Sequence, residues 1–238
     1  MTDFTASFGK PFRYQIAAWR LRLANLVPTA RWTDLWQSEH DRGFMVAGAM
    51  KAELLEDLAA AVGKAITSGS SLETFRADFR ALVEKNGWHG WTGEGTKRGE
   101  AWRTKVIYRT NMATSYAAGR LAQLREGSLK FWVYRHGGSR DPLIQHLGWD
   151  GLVLDRDHPF WLTHAPPNGW GCSCYIVGSP TREGASRVGG KPGKALPDDW
   201  QKTDPRTGAP MGIDKGWAYA PGATASEAIS AAVRLAAD

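Results

Sequence analysis

The chain has 238 residues, 42% of them hydrophobic, and a net charge of +6, enough to bury a full core as one domain with extensions or as two small domains. No run approaches the roughly 18 apolar residues that cross a bilayer, and the first residues lack the charged-then-apolar order of a signal segment, so synthesis in a cytosol is expected. Cys172 and Cys174, one residue apart, do not make a disulfide framework and are expected as reduced thiols.

Residues 4–32 interleave aromatic and basic side chains around a short helical pattern from Ile16 to Leu26, which Pro28 stops. The aromatics Phe4, Phe8, Phe12, Tyr14, Trp19 and Trp32, with Trp36 just beyond, read as a docking arm over 1–43, because exposed aromatics in an arm need a partner. Leu54, Leu55, Leu58, Val62 and Ile66 recur at three-and-four spacing and predict a helix over 44–66. Ser70 with Glu73 is a capping box for the next helix, whose stripe is Leu72, Phe75, Phe79, Leu82 and Val83 and whose stop is Gly87. A glycine-rich loop over 88–95 lacks the lysine of a phosphate-binding loop, which excludes that kind of nucleotide site.

A long helix is predicted from about 98 to 126, inward through Trp102, Val106, Ala113, Ala117, Leu121 and Leu124, with Gly127 as its stop. It carries most of the charge asymmetry: residues 97–140 net +8, against +4 for 1–32, −4 for 33–96 and −2 for 141–238. Arg103, Lys105, Arg109, Arg120 and Arg125 are the candidate phosphate contacts, with a merely solvated helix face as the alternative.

Strands are expected at 130–136, 151–154 and 174–177, followed by a Gly/Pro-rich wrapped segment to about 222 and a last helix over 224–237. The fold class is α+β: a largely helical N-terminal half (arm 1–43, helical region 44–127), a small β-containing, loop-rich domain over 128–180, and an extended tail over 181–238. The stretch 146–174 holds three of the six histidines and both cysteines. His146, His164, Cys172 and Cys174 are chemically complete for tetrahedral zinc, with the two thiols expected on one side of a strand and His158 as a further candidate. The spacing is not that of a standard finger, so a knot of aromatic and proline residues with small buried cysteines stays open beside zinc. Trp149, Trp161 and Trp170 are read as plugs of a loop-rich core rather than as base-stacking platforms.

These blocks resemble the phage Mu F-like minor head, or head morphogenesis, proteins of tailed phages and prophages. The resemblance rests on VPTARWTDLWQSEHDRGFMVAGAM, on GSSLETFRADFRALVEKNGWHGWTGEGTKRGEAWRTKVIYRTNMATSYAAGR, on His146 with WDGLVL, on DHPFWLTHAPPNGWGCSC, and on RTGAPMGIDKGWAYAPG. Ser173 stands where the family commonly has Arg, and RDPLIQH precedes where a more basic segment is expected. The resemblance implies a non-enzymatic protein inside the virion head near the portal vertex. Its implied partners are the portal protein, major capsid or scaffold protein, and packaged double-stranded DNA held without sequence reading, and its implied roles are head assembly and DNA packaging or ejection. The competing reading is a nuclease or toxin-like effector built on the His/Cys cluster.

Overall fold

One helix of 30 residues organises the molecule. The computed structural model describes residues 11–236, and in it α4 runs unbroken from Lys97 to Glu126. Its N-cap is Thr96, whose hydroxyl accepts from the Gly99 N–H at 3.0 Å. Trp102, expected on the inner stripe, is 50% exposed; the buried face instead runs through Arg103, Thr104, Ile107, Thr114, Ser115, Ala118, Gly119, Leu121, Ala122 and Leu124. A face so small and polar cannot be a conventional leucine stripe, and its partner is another backbone.

That partner is α1 (Arg13–Leu23). A Cβ at Gly119 would lie 2.6 Å from the Tyr14 carbonyl carbon and the Gln15 nitrogen, so only hydrogen fits where the helices cross. Ala17, Ala18, Ala118 and Ala122 fill the contact, and Gln15 donates to the Ser115 hydroxyl at 3.1 Å. The expected docking arm is therefore corrected at this helix. It is an interior element, and Trp19 packs edge-on against Phe44 in the core.

The first half of α4 lies against α2 (Ala52–Ser68) and α3 (Leu72–Asn86). Leu54, Leu55, Leu58, Val62 and Ile66 are all buried there with Phe75, Phe79, Trp88 and Trp91. α2 begins at 52 rather than 44, because Phe44 exchanges backbone hydrogen bonds with Asn25 and Val27 and Gly48 takes φ 84°. Phe44 and Val46 are loop plugs, not helix residues. The cap of α3 is Ser71, one residue later than predicted, accepting from the Thr74 N–H at 3.2 Å.

The second half of α4 covers a three-stranded antiparallel sheet of order β2-β1-β3. Central β1 (Phe131–Arg135) pairs Trp132 with Leu154 of β2 (Val153–Asp155) and with Gly178 of β3 (Tyr175–Ser179). Two short helices interrupt the expected loop: α5 (Ile144–Trp149) and α6 (Phe160–His164). The helical N-terminal half and small sheet make an α+β fold. No helix among the described residues is long and apolar enough to cross a membrane.

Beyond a 3-10 turn at Glu183–Val188 the chain is irregular to 225, yet it supplies buried Ala209, Ile213, Trp217 and Ala220 to the sheet core. Asp41 is buried and accepts from the Gly222 N–H at 2.6 Å and the Thr224 hydroxyl at 2.8 Å, which ties this segment back to the N-terminal region. α7 (Ser226–Leu235) then seals α1 and α4 with Ile229.

Gly119→Ala should cost about 1–3 kcal/mol, since the added methyl meets backbone that cannot turn aside. Urea unfolding of both forms measures it; a loss below about 0.5 kcal/mol, within ordinary surface-substitution scatter, would show that the crossing can open freely.

Candidate functional site

The dense 146–174 stretch folds around Tyr134 of β1. The Tyr134 hydroxyl donates to the Asn168 side-chain oxygen at 2.8 Å, and the Asn168 carbonyl accepts from the Asp214 N–H at 3.0 Å. Asp214 in turn accepts from the Trp170 N–H at 2.9 Å, and a Cβ at Gly169 would fall 2.3 Å from that carboxylate. The turn after the cis Pro166–Pro167 bond is thus held by the tail segment.

This turn delivers both thiols to one imidazole. His146 Nδ1 lies 3.8 Å from the Cys172 sulfur and 3.7 Å from the Cys174 sulfur, and the ligand atoms of all three residues fall within 4.8 Å of one another. The thiols converge from a loop rather than along a strand face, since both cysteines precede β3. His146 Nε2 is 2.8 Å from the Gly212 carbonyl, which only accepts; Nε2 therefore carries a proton, and Nδ1 faces the sulfurs, donating to a thiolate when the ring is charged and offering its lone pair when it is neutral. A backbone carbonyl behind the ring is the usual outer support of a metal-ligating histidine. Zinc–sulfur and zinc–nitrogen bonds of about 2.3 and 2.0 Å separate tetrahedral ligand atoms by about 3.5–3.8 Å, so the two spacings from His146 to the sulfurs suit zinc.

The protonation of the cluster follows from the same distances. A hydrogen bond from the Cys174 thiol, helped by His146 and opposed by burial, pulls Cys172 well below the usual thiol range. The same bond and burial push Cys174 up, so the two sulfurs share one proton. Burial lowers His146, but the Cys172 sulfur and the Gly212 carbonyl outweigh it and leave it raised. The group can hold a soft divalent cation, or carry one thiolate beside an imidazole.

His164, predicted as the fourth ligand, is elsewhere. It lies beyond Trp149 (ring centroids 4.9 Å), stacks on Phe160 at 4.4 Å, and its Nδ1 meets the Thr163 hydroxyl at 2.8 Å. One turn of helix in α6 aims it into the aromatic core, where burial holds its pKa near 4. His158 accepts from the Phe160 N–H at 3.1 Å and is likewise outside the cluster. Trp149 and Trp161 are core plugs, as expected, whereas Trp170 is 46% exposed.

The basic set divides. Arg103 is a correction: it is buried, and its guanidinium donates to the Ala47 carbonyl. Arg120 is half-buried against Gln123 and the Ile176 carbonyl, and Arg125 reaches the Ala223 carbonyl. Lys105 and Arg109 stay exposed, and the helical repeat sets them in line with exposed Arg98 and Trp102. Treating Trp102 as core is what concealed that stripe in the sequence.

Among the predicted docking aromatics, Phe4 and Phe8 lie outside the described residues. Phe12 packs on Tyr14 and Tyr116 (5.8 and 5.5 Å), and the Tyr14 hydroxyl donates to Glu126 at 2.6 Å. Trp32 and Trp36 are at the surface, 5.7 Å apart, and Trp32 meets Trp170 at 5.7 Å. Trp170 then meets Trp217 at 5.2 Å, which completes a row assembled from three distant parts of the chain.

Residues 56–177, which run from within α2 into β3 and include all three converging ligands, match the family described as phage Mu protein F like protein. The chain belongs to that family. Over 252 aligned positions this Mu F-like chain is 28% identical to the putative capsid assembly protein F of Escherichia phage Mu, covering 94% of the chain and 57% of that protein. Over 154 positions it is 32% identical to the Mu-like prophage FluMu F protein of Haemophilus influenzae, covering 62% of the chain and 37% of that protein. The chain therefore spans little more than half the length of the longer-matching relative. No solved structure matches it.

Proposed function

We propose that this Mu F-like chain is a minor head protein of a tailed phage or prophage, seated at the portal vertex on the head interior. It acts there in head assembly and in DNA packaging or ejection. The observation that carries this reading is the likeness to the capsid assembly protein of phage Mu along 94% of the chain. The portal protein is the partner for the tryptophan row through its exposed members Trp32 and Trp170, with major capsid or scaffold protein beside it, and packaged double-stranded DNA runs along the basic stripe of α4. Quantitative mass spectrometry of purified particles, with and without the gene, tests the role. A few copies per particle, and deletion particles that assemble yet hold or deliver DNA poorly, are expected. Absence from particles would reject the proposal in favour of an effector.

DNA contact is assigned to Lys105 and Arg109, which lie one helical turn apart on the exposed face of α4. Each phosphate contact contributes about 0.9 to the slope of log affinity against log salt. Lys105→Glu with Arg109→Glu should flatten that slope by roughly two units on any duplex sequence. An unchanged slope removes the stripe from DNA binding.

We further infer that His146, Cys172 and Cys174 bind one zinc ion, with water at the fourth position. The sulfurs border a groove of ≈ 600 Å³ between α4 and the 166–176 loop, which leaves room for that water. The ion would staple α5 to the turn after Pro167, and its binding would add to folding stability. Elemental analysis should find one zinc per chain, lost in Cys172→Ser and kept in His164→Gln, and a chelator should lower the melting temperature. Metal-free protein whose melting curve ignores added zinc would dispose of the site. A nuclease activity lost in Cys172→Ser would then point to the thiolate–imidazole pair as a nucleophile.

A further inference from the structure

A second site lies on the opposite side of Trp217 from the cysteines. A cavity of ≈ 100 Å³ opens between the C-terminal end of α1, the 3-10 turn Gln37–Asp41 and the first half of α4. Two of its lining residues are Arg22 and Arg103, only 2% and 7% exposed. Neither forms an ion pair among the described residues. Arg22 spends one N–H on the Thr114 hydroxyl at 2.8 Å, and its Nε and second terminal nitrogen have no partner among the described residues. Arg103 reaches the Ala47 carbonyl, and its Nε is likewise unpartnered.

Two guanidiniums buried without an anion are costly, and arginine sheds this cost by binding an acceptor rather than by losing its proton. The nearby carboxylate of Asp41 is already committed to Gly222 and Thr224. His40 also lines the cavity, but burial and the Arg22 charge hold its pKa near 4, so it adds no third cation at neutral pH. The mouth is aromatic: Trp32 (38% exposed), Trp36, Trp170 and Trp217 all border it. Gln37 on the rim takes φ 47°, a left-handed conformation that non-glycine residues rarely hold without a functional or packing reason.

We propose that this cleft binds an acidic side chain from a segment of a partner protein, its carboxylate on Arg22 and Arg103 and its apolar neighbours on the tryptophan rim. A planar carboxylate matches the fork of a guanidinium, and ≈ 100 Å³ admits one such group. A nucleic-acid backbone would need its cations on open surface, as Lys105 and Arg109 are, rather than more than nine-tenths buried behind indoles. The inference goes beyond the head-assembly reading by naming the chemistry that the aromatic row accepts, and it stands without that reading.

The test titrates the full chain, at constant ionic strength, with acetyl-Leu-Asp-Leu-amide, its Asn counterpart and inorganic phosphate, following tryptophan fluorescence. A saturable change with the Asp peptide alone is expected. Affinity should fall by roughly thirty-fold or more in Arg103→Met and in Arg22→Met, since each removes one of the two charge-assisted partners of the desolvated carboxylate. Both variants should melt no lower than the parent, because each removes a buried unpaired cation. Equal responses to the Asp and Asn peptides, or undiminished binding by both folded variants, would overturn the proposal. Phosphate reproducing the full response would overturn the carboxylate assignment. If either variant fails to fold, the Asp/Asn comparison on the parent chain still decides.

Discussion

The close passage of α1 over Gly119 of α4 sets the terms for everything around it. With two backbones this near, the side chains between them must be small or must lie along the groove. Alanines take the centre, and the ends are filled by Gln15, which donates to Ser115, and by Arg22, which spends one N–H on Thr114. One end of that crossing buries an arginine, and the cavity that it borders lies between the same two helices and the 32–47 segment.

α4 also joins two cores that are otherwise distinct. Ile107 belongs with α2 and α3, whereas Leu121 and Leu124 belong with the sheet. Because one helix serves both, the groove beside the cysteines and the arginine cavity share α4 as a wall, and Trp217 lines both openings beside it. The irregular tail completes each site: Gly212 supplies the carbonyl that sets the tautomer of His146, and Gly216 lets the chain pass beneath Trp32 and Trp36. A segment without regular structure does this work through backbone groups, which any sequence possesses.

The charge of the α4 region has a similar explanation. Read as composition, residues 97–140 net +8 and suggest a broad polyanion face. In the fold, Arg103, Arg120 and Arg135 turn to carbonyls or to Asp150 and are drawn into the structure, while Arg125 reaches the Ala223 carbonyl from the surface. On the open face of α4 this leaves a narrow line of Arg98, Lys105 and Arg109 beside an exposed indole, with Lys97, Arg125, Lys130 and Arg140 exposed outside that line. Charge that looks available in a sequence is often structural mortar, since arginine carries enough donors to cap loops that have no side chains of their own.

Periodicity and end signals made much of the fold legible. The inner faces of α2 and α3, the span of α4, the three strands and the final helix all follow from local chemistry that acts within a turn or a strand. The family was legible too, through ordered blocks, and so was the pairing of His146 with two cysteines as candidate ligands. The partners of those elements were not. Nothing local separates Trp19, which is core, from Trp32, which is surface, nor His146, which meets the thiols, from His164, which a single turn of α6 sends into an aromatic stack. Arg103 reads as charge until Ala47 arrives beside it, and Trp102 reads as core until α2 and α3 occupy the other face. Burial is a property of what packs against a residue, and contacts across tens to hundreds of positions leave no period in the chain.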